Sequence, residues 1–256
     1  MDVYACGAGK NPRASPADTL DAALNIRFKR PFYMKFIPSS PPASANDRIL
    51  EAAEKLFAAH GFDGTSLRQL TIDAGVNLAA VNYHFGSKES LYAAMIARRI
   101  RPINEARLAA LEKAEQAAEG APVPLATVLA ILVRPIFELS KDATQGGPGI
   151  VRIIGRSLAE PLPFMDAILA SEFQPTLARF SQAVRRNAPH LSPEDFLWRL
   201  SFVVGAMQHT FSNLHRMSEL TRGICRDNDD EGALRRFLDF AVTAFAAPGG
   251  TADHPA

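Results

Sequence analysis

Residues 77–88 carry side chains that can contact nucleic acid, spaced by one helical turn. Ala79, Asn82 and Tyr83 stand at positions i, i+3 and i+4, so a helix presents them on one face. Asparagine can hydrogen-bond bidentately to adenine, and an alanine methyl can contact the methyl group of thymine. Tyr83 and His84 offer donors to phosphate oxygens. The pattern predicts a face that contacts the bases and backbone of DNA.

Further candidate contacts lie on either side of this face. Thr65 and Ser66 place hydroxyls at a predicted helix N-terminus, with Thr65 expected as the N-cap, and such a terminus favours phosphate. Arg68 follows in the same helix, and Lys88 begins a later one. The predicted DNA-contacting residues are Thr65, Ser66, Arg68, Asn77, Leu78, Ala79, Asn82, Tyr83, His84 and Lys88.

Two short helices joined by a tight turn must position these side chains. The sequence predicts helices over 66–74 and 78–84, separated by the turn Gly75-Val76-Asn77, and this is the helix-turn-helix arrangement. Val81 and Phe85 are expected to face the core of the module. A glycine between two short helices is also common in all-α proteins, and Tyr83 or His84 taken alone is compatible with ordinary packing. The geometry by itself therefore leaves both interpretations open.

Helical periodicity continues on both sides of this segment. Upstream, a helix from residue 46 carries an apolar stripe made of Ile49, Ala52, Ala53, Leu56 and Phe57. Downstream, a fourth helix over 88–101 is expected to end or kink at Pro102. Further helices are predicted over 103–118, 125–140, 149–159, 162–187, 193–215 and 231–247. The fold class is all-α, with an N-terminal helix-turn-helix domain on a larger C-terminal helical bundle.

Composition limits the class of protein. The 256 residues are 47% hydrophobic and 21% charged, with a net charge of +1, as in globular domains. The two cysteines form no disulfide framework, and the longest apolar run, 125–133, is too short to span a membrane. We expect a soluble, cytoplasmic protein with no membrane partner. The proline-rich residues 1–45 read as a poorly ordered extension, and we expect translation to begin at Met34.

Residue patterns typical of enzymes are missing from the sequence. The six histidines include no pair spaced i and i+4, and no glycine-rich phosphate loop, nucleophile elbow or metal-ligand spacing occurs. Cys225 lies in a polar segment with no evident histidine partner. We therefore expect no enzymatic activity, no cofactor and no metal. The alternatives are a helical lipid carrier or an uncharacterised enzyme, neither of which binds DNA.

The combined motifs resemble the tetracycline-repressor family of bacterial transcription regulators. The matching positions are Ala53, Leu56, Phe57, Gly61, Phe62, Thr65, Ser66, Ala74, Gly75, Val76, Asn82, Tyr83, His84, Phe85, Ser87, Lys88, Glu89 and Leu91. The sequences of residues 77–88 and 194–199 are similar to those of a subgroup that regulates fatty-acid degradation. Most family members carry tyrosine where Asn82 stands, so we expect its contacts to differ. The resemblance implies a homodimer that binds a palindromic operator in double-stranded DNA.

The resemblance also implies a small-molecule effector in the C-terminal bundle. Apolar residues are abundant over 128–137 and 150–158, and Arg134, Arg152 and Arg156 interrupt them. One interpretation is an apolar pocket with an arginine at its mouth, suited to a fatty acid or acyl-coenzyme A, which would relieve repression. The alternative is that these arginines pair with acidic residues at the surface. The candidate partners are Glu138, Glu160 and Asp166.

Two apolar stripes are candidates for the dimer interface. One lies over 193–215 and the other over 231–247, and Gly205 and Ala206 would allow close approach of a partner helix. The stripe residues are Phe196, Leu200, Val203, Met207 and Phe211, followed by Leu234, Phe237, Leu238, Ala241 and Phe245. Both stripes are also compatible with intramolecular core. The expected domains are 46–101 for DNA binding and 102–247 for effector binding and dimerisation, with 248–256 as a tail.

Overall fold

The computed structural model describes residues 44–142, 146–159, 162–225 and 230–249. All regular secondary structure in these ranges is helical, so the predicted all-α class is confirmed. The helices are α1 (Ala45–His60), α2 (Leu67–Ala74), α3 (Leu78–Phe85), α4 (Lys88–Ala117), α5 (Leu125–Lys141), α6 (Gly147–Ala159), α7 (Met165–Ile168), α8 (Gln174–Asn187), α9 (Pro193–Ser212), α10 (Leu214–Leu220) and α11 (Asp230–Ala246). The expectations for 1–43 and 250–256, including a start at Met34, lie outside the described residues. Across the described ranges, no helix has the length and apolar character needed to cross a membrane.

Helices α1 to α3 form a small module at the N-terminal end. The side chain of Ser44 caps α1 by accepting a hydrogen bond from the backbone N–H of Asp47. The predicted stripe of α1 is buried, and Leu70 and Val81 reach the same core from α2 and α3. The three short elements therefore share one apolar centre, as their periodicity predicts.

Helix α4 joins this module to the rest of the chain. It runs from Lys88 to Ala117 and includes Pro102, so the expected end of the helix at that proline is wrong. Proline removes one backbone N–H from the helical ladder, but α4 is held by packing on both sides of it, since Ile100 and Ile103 are buried. The expected domain boundary between residues 101 and 102 lies inside this continuous helix.

Helix α5 lies at the centre of the bundle. It packs against α4, α6, α8, α9 and α11, which explains why it has no fully polar face. Its buried residues include Val128, Leu129, Ile131 and Phe137. This core positions the surfaces that α4, α6, α9 and α11 present on its outside.

Two irregularities interrupt the helices of the bundle. A π-helical turn, Leu169–Phe173, stands between α7 and α8 and keeps the chain helical from Met165 to Asn187. Helix α9 ends at Ser212, three residues earlier than the predicted limit of 215, and Asn213 separates it from α10. π-Turns are often found near functional sites, because they change the direction of side chains and free a carbonyl group.

Candidate functional site

The turn between α2 and α3 is built by three local interactions. The side chain of Ser66 caps α2 by accepting a hydrogen bond from the backbone N–H of Gln69 at 3.1 Å. Gly75 ends α2 with φ of 62°, a left-handed conformation that strongly favours glycine. The side chain of Asn77 then caps α3 by accepting from the backbone N–H of Ala80 at 2.8 Å. These caps fix the orientation of α3.

Thr65 differs from its predicted role. Its side chain is buried and its hydroxyl donates a hydrogen bond to the carbonyl oxygen of Gly61 at 2.8 Å. The N-cap of α2 is Ser66, so the expected cap at Thr65 is wrong. Thr65 fastens the end of α1 to the start of α2, whereas Ser66 remains exposed.

Helix α3 presents one apolar and one exposed face, as its sequence predicts. Val81 is buried and Phe85 packs against the core, whereas Ala79 and Asn82 point to solvent. Tyr83 is 86% exposed, an unusual state for an aromatic ring in the absence of a partner. The remaining exposed candidates of this helix and its cap are Asn77, Leu78 and His84. The exposed face of α3 is therefore free to contact a partner.

Two basic candidates lie beside this face. Arg68 is exposed on α2, and Lys88 begins α4 with its Nζ 4.3 Å from the ring centroid of Phe62. Lys88 is half-buried, because its stem rests on this ring while its ammonium stays near the surface. Ser87 caps α4 through the backbone N–H of Ser90, so this terminus is also fixed in position.

An aromatic cluster connects the module to the bundle. The ring of Phe62 lies 5.4 Å from Tyr92 and 4.6 Å from Phe164, and Phe57 contacts Tyr92 at 4.9 Å. The hydroxyls of Tyr92 and Ser157 are hydrogen-bonded at 2.5 Å, and Ser157 also bonds to the backbone carbonyl of Ile153. Phe57 and Phe62 belong to the module and Phe164 belongs to the bundle. A displacement of the module relative to the bundle therefore changes the packing of these rings.

Helices α1 and α4 are also joined by an ion pair. Arg99 holds the carboxylate of Glu54 through Nε at 3.1 Å and Nη2 at 2.9 Å. Burial raises the pKa of Glu54 above its usual value, although Arg99 acts in the opposite direction. The pair is therefore a partly desolvated link between the module and the start of the bundle.

Arg134 pairs with acidic side chains. It is buried on α5, and its Nη1 lies 3.2 Å from Glu231 and 4.0 Å from Glu138. Of the expected acidic partners, Glu138 is confirmed for Arg134, whereas a role of Arg134 in effector binding stays a prediction. The partner Glu231 lies on α11, about a hundred residues away, and could not be recognised from local sequence.

Arg152 and Arg156 line an open cleft between α6 and α9. The cleft has a volume of about 560 Å³ and also includes His209, Ser212 and Arg216. Neither Arg152 nor Arg156 forms an ion pair with any residue in the described ranges, and the lining contains no carboxylate. The cleft is therefore electropositive. Sequence reasoning missed His209 and Arg216, because they come from the far end of α9 and from α10.

The two apolar stripes of α9 and α11 are mainly intramolecular core, which is the second of the two expected interpretations. Phe196, Val203 and Phe211 are buried against the α11 stripe, which is itself buried throughout. The opposite side of these helices instead exposes Leu197, Trp198, Phe202 and Phe240, which we call the α9–α11 face. The spacing of Trp198 and Phe202, one helical turn apart, was the signal that could have identified it.

Comparison with known proteins agrees with this architecture. The family profile "Bacterial regulatory proteins, tetR family" matches residues 49–95, and "Tetracyclin repressor-like, C-terminal domain" matches residues 130–244. Together the two profiles cover most of the described chain.

Among curated relatives, the chain is 36% identical over 62 residues to the transcriptional repressor AcnR of Corynebacterium glutamicum, covering 24% of this chain and 33% of AcnR. It is 39% identical over 99 residues to the transcriptional regulatory protein RaaS of Mycobacterium tuberculosis, covering 37% and 46% of the two chains. The chain thus matches less than half the length of these relatives.

Solved structures share the fold over most of the chain. SmeT, the repressor of the Stenotrophomonas maltophilia multidrug efflux pump SmeDEF, superposes with a TM-score of 0.53 at 21% identity, covering 82% of this chain and 96% of SmeT. SCO4454 of Streptomyces coelicolor gives a TM-score of 0.54 at 17% identity, covering 79% and 96%. The helix-turn-helix module has one exposed face on its third helix, and both family profiles match, so the chain belongs to the tetracycline-repressor family of bacterial regulatory proteins.

Proposed function

We propose that this regulator is a repressor that binds a palindromic operator through α3 and is released by a small apolar acid. The observation that carries the proposal is the exposed face of α3. Ala79, Asn82 and Tyr83 project from a helix capped at its start and packed through Val81 beneath, which is the form of a major-groove reading helix. Repression is supported by the relative AcnR, which is a transcriptional repressor.

The operator is read by a homodimer in this proposal. The α9–α11 face exposes Trp198 and Phe202, whose rings stack with centroids 5.8 Å apart, and Leu197 and Phe240 are exposed on the same two helices. Exposed aromatic clusters of this kind mark protein–protein contacts. A second copy on this face is the partner expected, because a two-fold pair of recognition helices matches two half-sites one turn apart.

The effector is a fatty acid or an acyl-coenzyme A, bound on the bundle side of the aromatic cluster. Arg152 and Arg156 remain candidate contacts for its anionic part, because they line an electropositive cleft that contains no carboxylate among the described residues. Arg156 also approaches the module, since its Nη1 is 4.0 Å from the position that a Cβ atom would occupy at Gly61. An effector that binds one arrangement of the two domains more tightly than the other shifts the equilibrium by that difference alone.

Selection from a pool of randomised duplexes tests the DNA-binding part of the proposal. Purified protein at low ionic strength is expected to enrich an inverted repeat, and its affinity is expected to fall steeply as salt is raised. An excess of octanoate is expected to weaken binding to the selected duplex. Failure to enrich any repeat, with octanoate nevertheless bound, would instead support a lipid carrier.

Two substitutions separate base reading from phosphate binding. Asn82→Ala is expected to relax preference at one base pair in each half-site, because a bidentate contact contributes about 1–3 kcal/mol of discrimination. Lys88→Ala is expected to weaken binding to all DNA sequences equally. It is also expected to lower the slope of log affinity against log salt concentration by about one per subunit. Fluorescence anisotropy on the selected duplex and on single-position variants measures both. If the two variants behave alike, the division between reading and positioning is wrong.

A further inference from the structure

The core-facing side of α4 contains an unusual charged residue. Arg107 is 5% exposed and follows the buried Ile103 by one helical turn, with Leu111 one turn further on. An arginine at such a position normally has an acidic partner, since an isolated buried cation loses its hydration. Burial alone lowers the pKa of Arg107 to about 9, so the guanidinium still carries its charge at neutral pH.

The orientation of Arg107 is set by a chain of hydrogen bonds. Its Nη1 donates to the side-chain oxygen of Asn104 at 3.1 Å, and the amide nitrogen of Asn104 donates to the backbone carbonyl of Glu172 at 2.6 Å. Glu172 belongs to the π-helical turn, where an unusual backbone leaves that carbonyl available. The turn therefore anchors one side of the guanidinium and fixes the direction of the other.

The other side of the guanidinium is unpaired. Nε and Nη2 of Arg107 are buried and make no hydrogen bond to any residue in the described ranges. The nearby carboxylate of Glu172 does not serve them, because Arg101 holds it through Nε at 2.9 Å and Nη2 at 2.7 Å. Two donors thus remain aimed from the same edge of the side chain.

That edge is the one this protein uses elsewhere to hold carboxylates. Arg99 binds both oxygens of Glu54 through Nε and Nη2, and Arg101 binds Glu172 in the same way. Such parallel pairs match the spacing of the two carboxylate oxygens and are stronger than single hydrogen bonds. The unpaired edge of Arg107 has the same two donors, but on a side chain that is buried.

We propose that Nε and Nη2 of Arg107 bind the carboxylate of the effector, which is therefore a free acid and not its thioester. The inference rests on the proposed function, because it identifies the chemical class of that effector. A thioester has no carboxylate at the end of its acyl chain and leaves both donors unpaired. An aliphatic or aromatic monocarboxylic acid pairs both of them.

Thermal unfolding with simple acids tests the assignment without DNA. A series from acetate to decanoate, together with benzoate, is compared with octanol and octanoyl-coenzyme A. At saturation, at least one carboxylate is expected to raise the melting temperature of the wild-type protein by about 3 °C or more. Octanol and the thioester are expected to leave it unchanged. If no acid of the series produces a shift, or if octanol and the thioester shift it equally, the proposal is overturned.

Matched variants locate the response. Arg107→Met is expected to fold, to lose the shift, and to melt at a higher temperature than the wild type without ligand, because a buried charge has been removed. Arg107→Lys keeps the positive charge but loses the two parallel donors Nε and Nη2. Titration calorimetry is therefore expected to give acid binding weaker by at least about ten-fold. A wild-type response in either variant contradicts the assignment.

Arg134→Met is the buried control, since Arg134 is equally buried but paired with Glu231 and Glu138. Arg134→Met is expected to keep the acid response. Arg156→Met tests the competing site in the open cleft. Loss of the acid response in Arg156→Met, with the response kept in Arg107→Met, would move the site to the cleft and overturn the proposal. Operator affinity of Arg107→Met without acid is expected to equal that of the wild type. A regulator that binds its operator but ignores every acid therefore defeats this inference and leaves DNA binding standing.

Discussion

Replacing Trp198 and Phe202 together by glutamate is expected to produce a monomer whose operator affinity is lower by about 100-fold or more. These side chains are 57% and 60% exposed and form the centre of the α9–α11 face. Two carboxylates there cannot be desolvated against a second copy. A monomer presents one recognition helix, so binding to the two half-sites is no longer linked.

Molecular mass measured by light scattering checks the first effect, and anisotropy on the selected duplex checks the second. Leu220→Glu is the matched control, since Leu220 is also an exposed apolar residue but lies on a different helix, α10. It is expected to remain dimeric. A double variant that stays dimeric, or a wild-type protein that is monomeric at micromolar concentration, would show that the face is not the interface.

Phe57→Ala is expected to lower the free energy of unfolding by about 3–5 kcal/mol and to abolish operator binding near 37 °C. The ring is fully buried, and it contacts both Phe62 and Tyr92, so its removal leaves a cavity where the module meets the bundle. Because Phe164 of the bundle joins the same cluster, both parts are expected to unfold in one transition at a lower temperature.

Denaturant titration followed by fluorescence and by circular dichroism measures this loss. Ile72→Ala is a suitable control in the same module, since Ile72 is exposed on α2 and is expected to change stability by less than about 0.5 kcal/mol. A midpoint unchanged by Phe57→Ala, or separate transitions for module and bundle, would mean that the cluster does not join them.

The helix-turn-helix module could be predicted closely from the sequence because its interactions are local. The apolar spacing of α1, the glycine at 75 and the alternation of Val81 with Asn82 each report a contact within a few residues. The structure confirms which side of each helix is buried. Whether Ser66, Arg68 and the exposed residues of α3 contact DNA stays a prediction. Thr65 shows the limit, since neighbouring hydroxyls in the sequence cannot reveal which one is the cap.

The bundle was less predictable because its partners are distant in sequence. Helices α9 and α11 have apolar residues on two sides, and periodicity alone does not say which side meets the core. The pairing of Arg134 with Glu231 depends on how α5 packs against α11. Arg107 stands in a stretch of α4 rich in charged residues, so only the fold reveals that it faces inward. Continuation of α4 through Pro102 likewise depends on tertiary packing.

Chemical footprinting of purines on the selected duplex tests most directly whether α3 reads bases in the major groove. Dimethyl sulfate modifies guanine N7, an atom that lies in this groove. The wild-type protein is expected to protect two clusters of guanines on one side of the duplex, about 34–36 Å apart, and Asn82→Ala with Tyr83→Ala is expected to remove the protection. Protection confined to the minor groove, a single cluster, or a pattern unchanged by the double substitution would contradict the account.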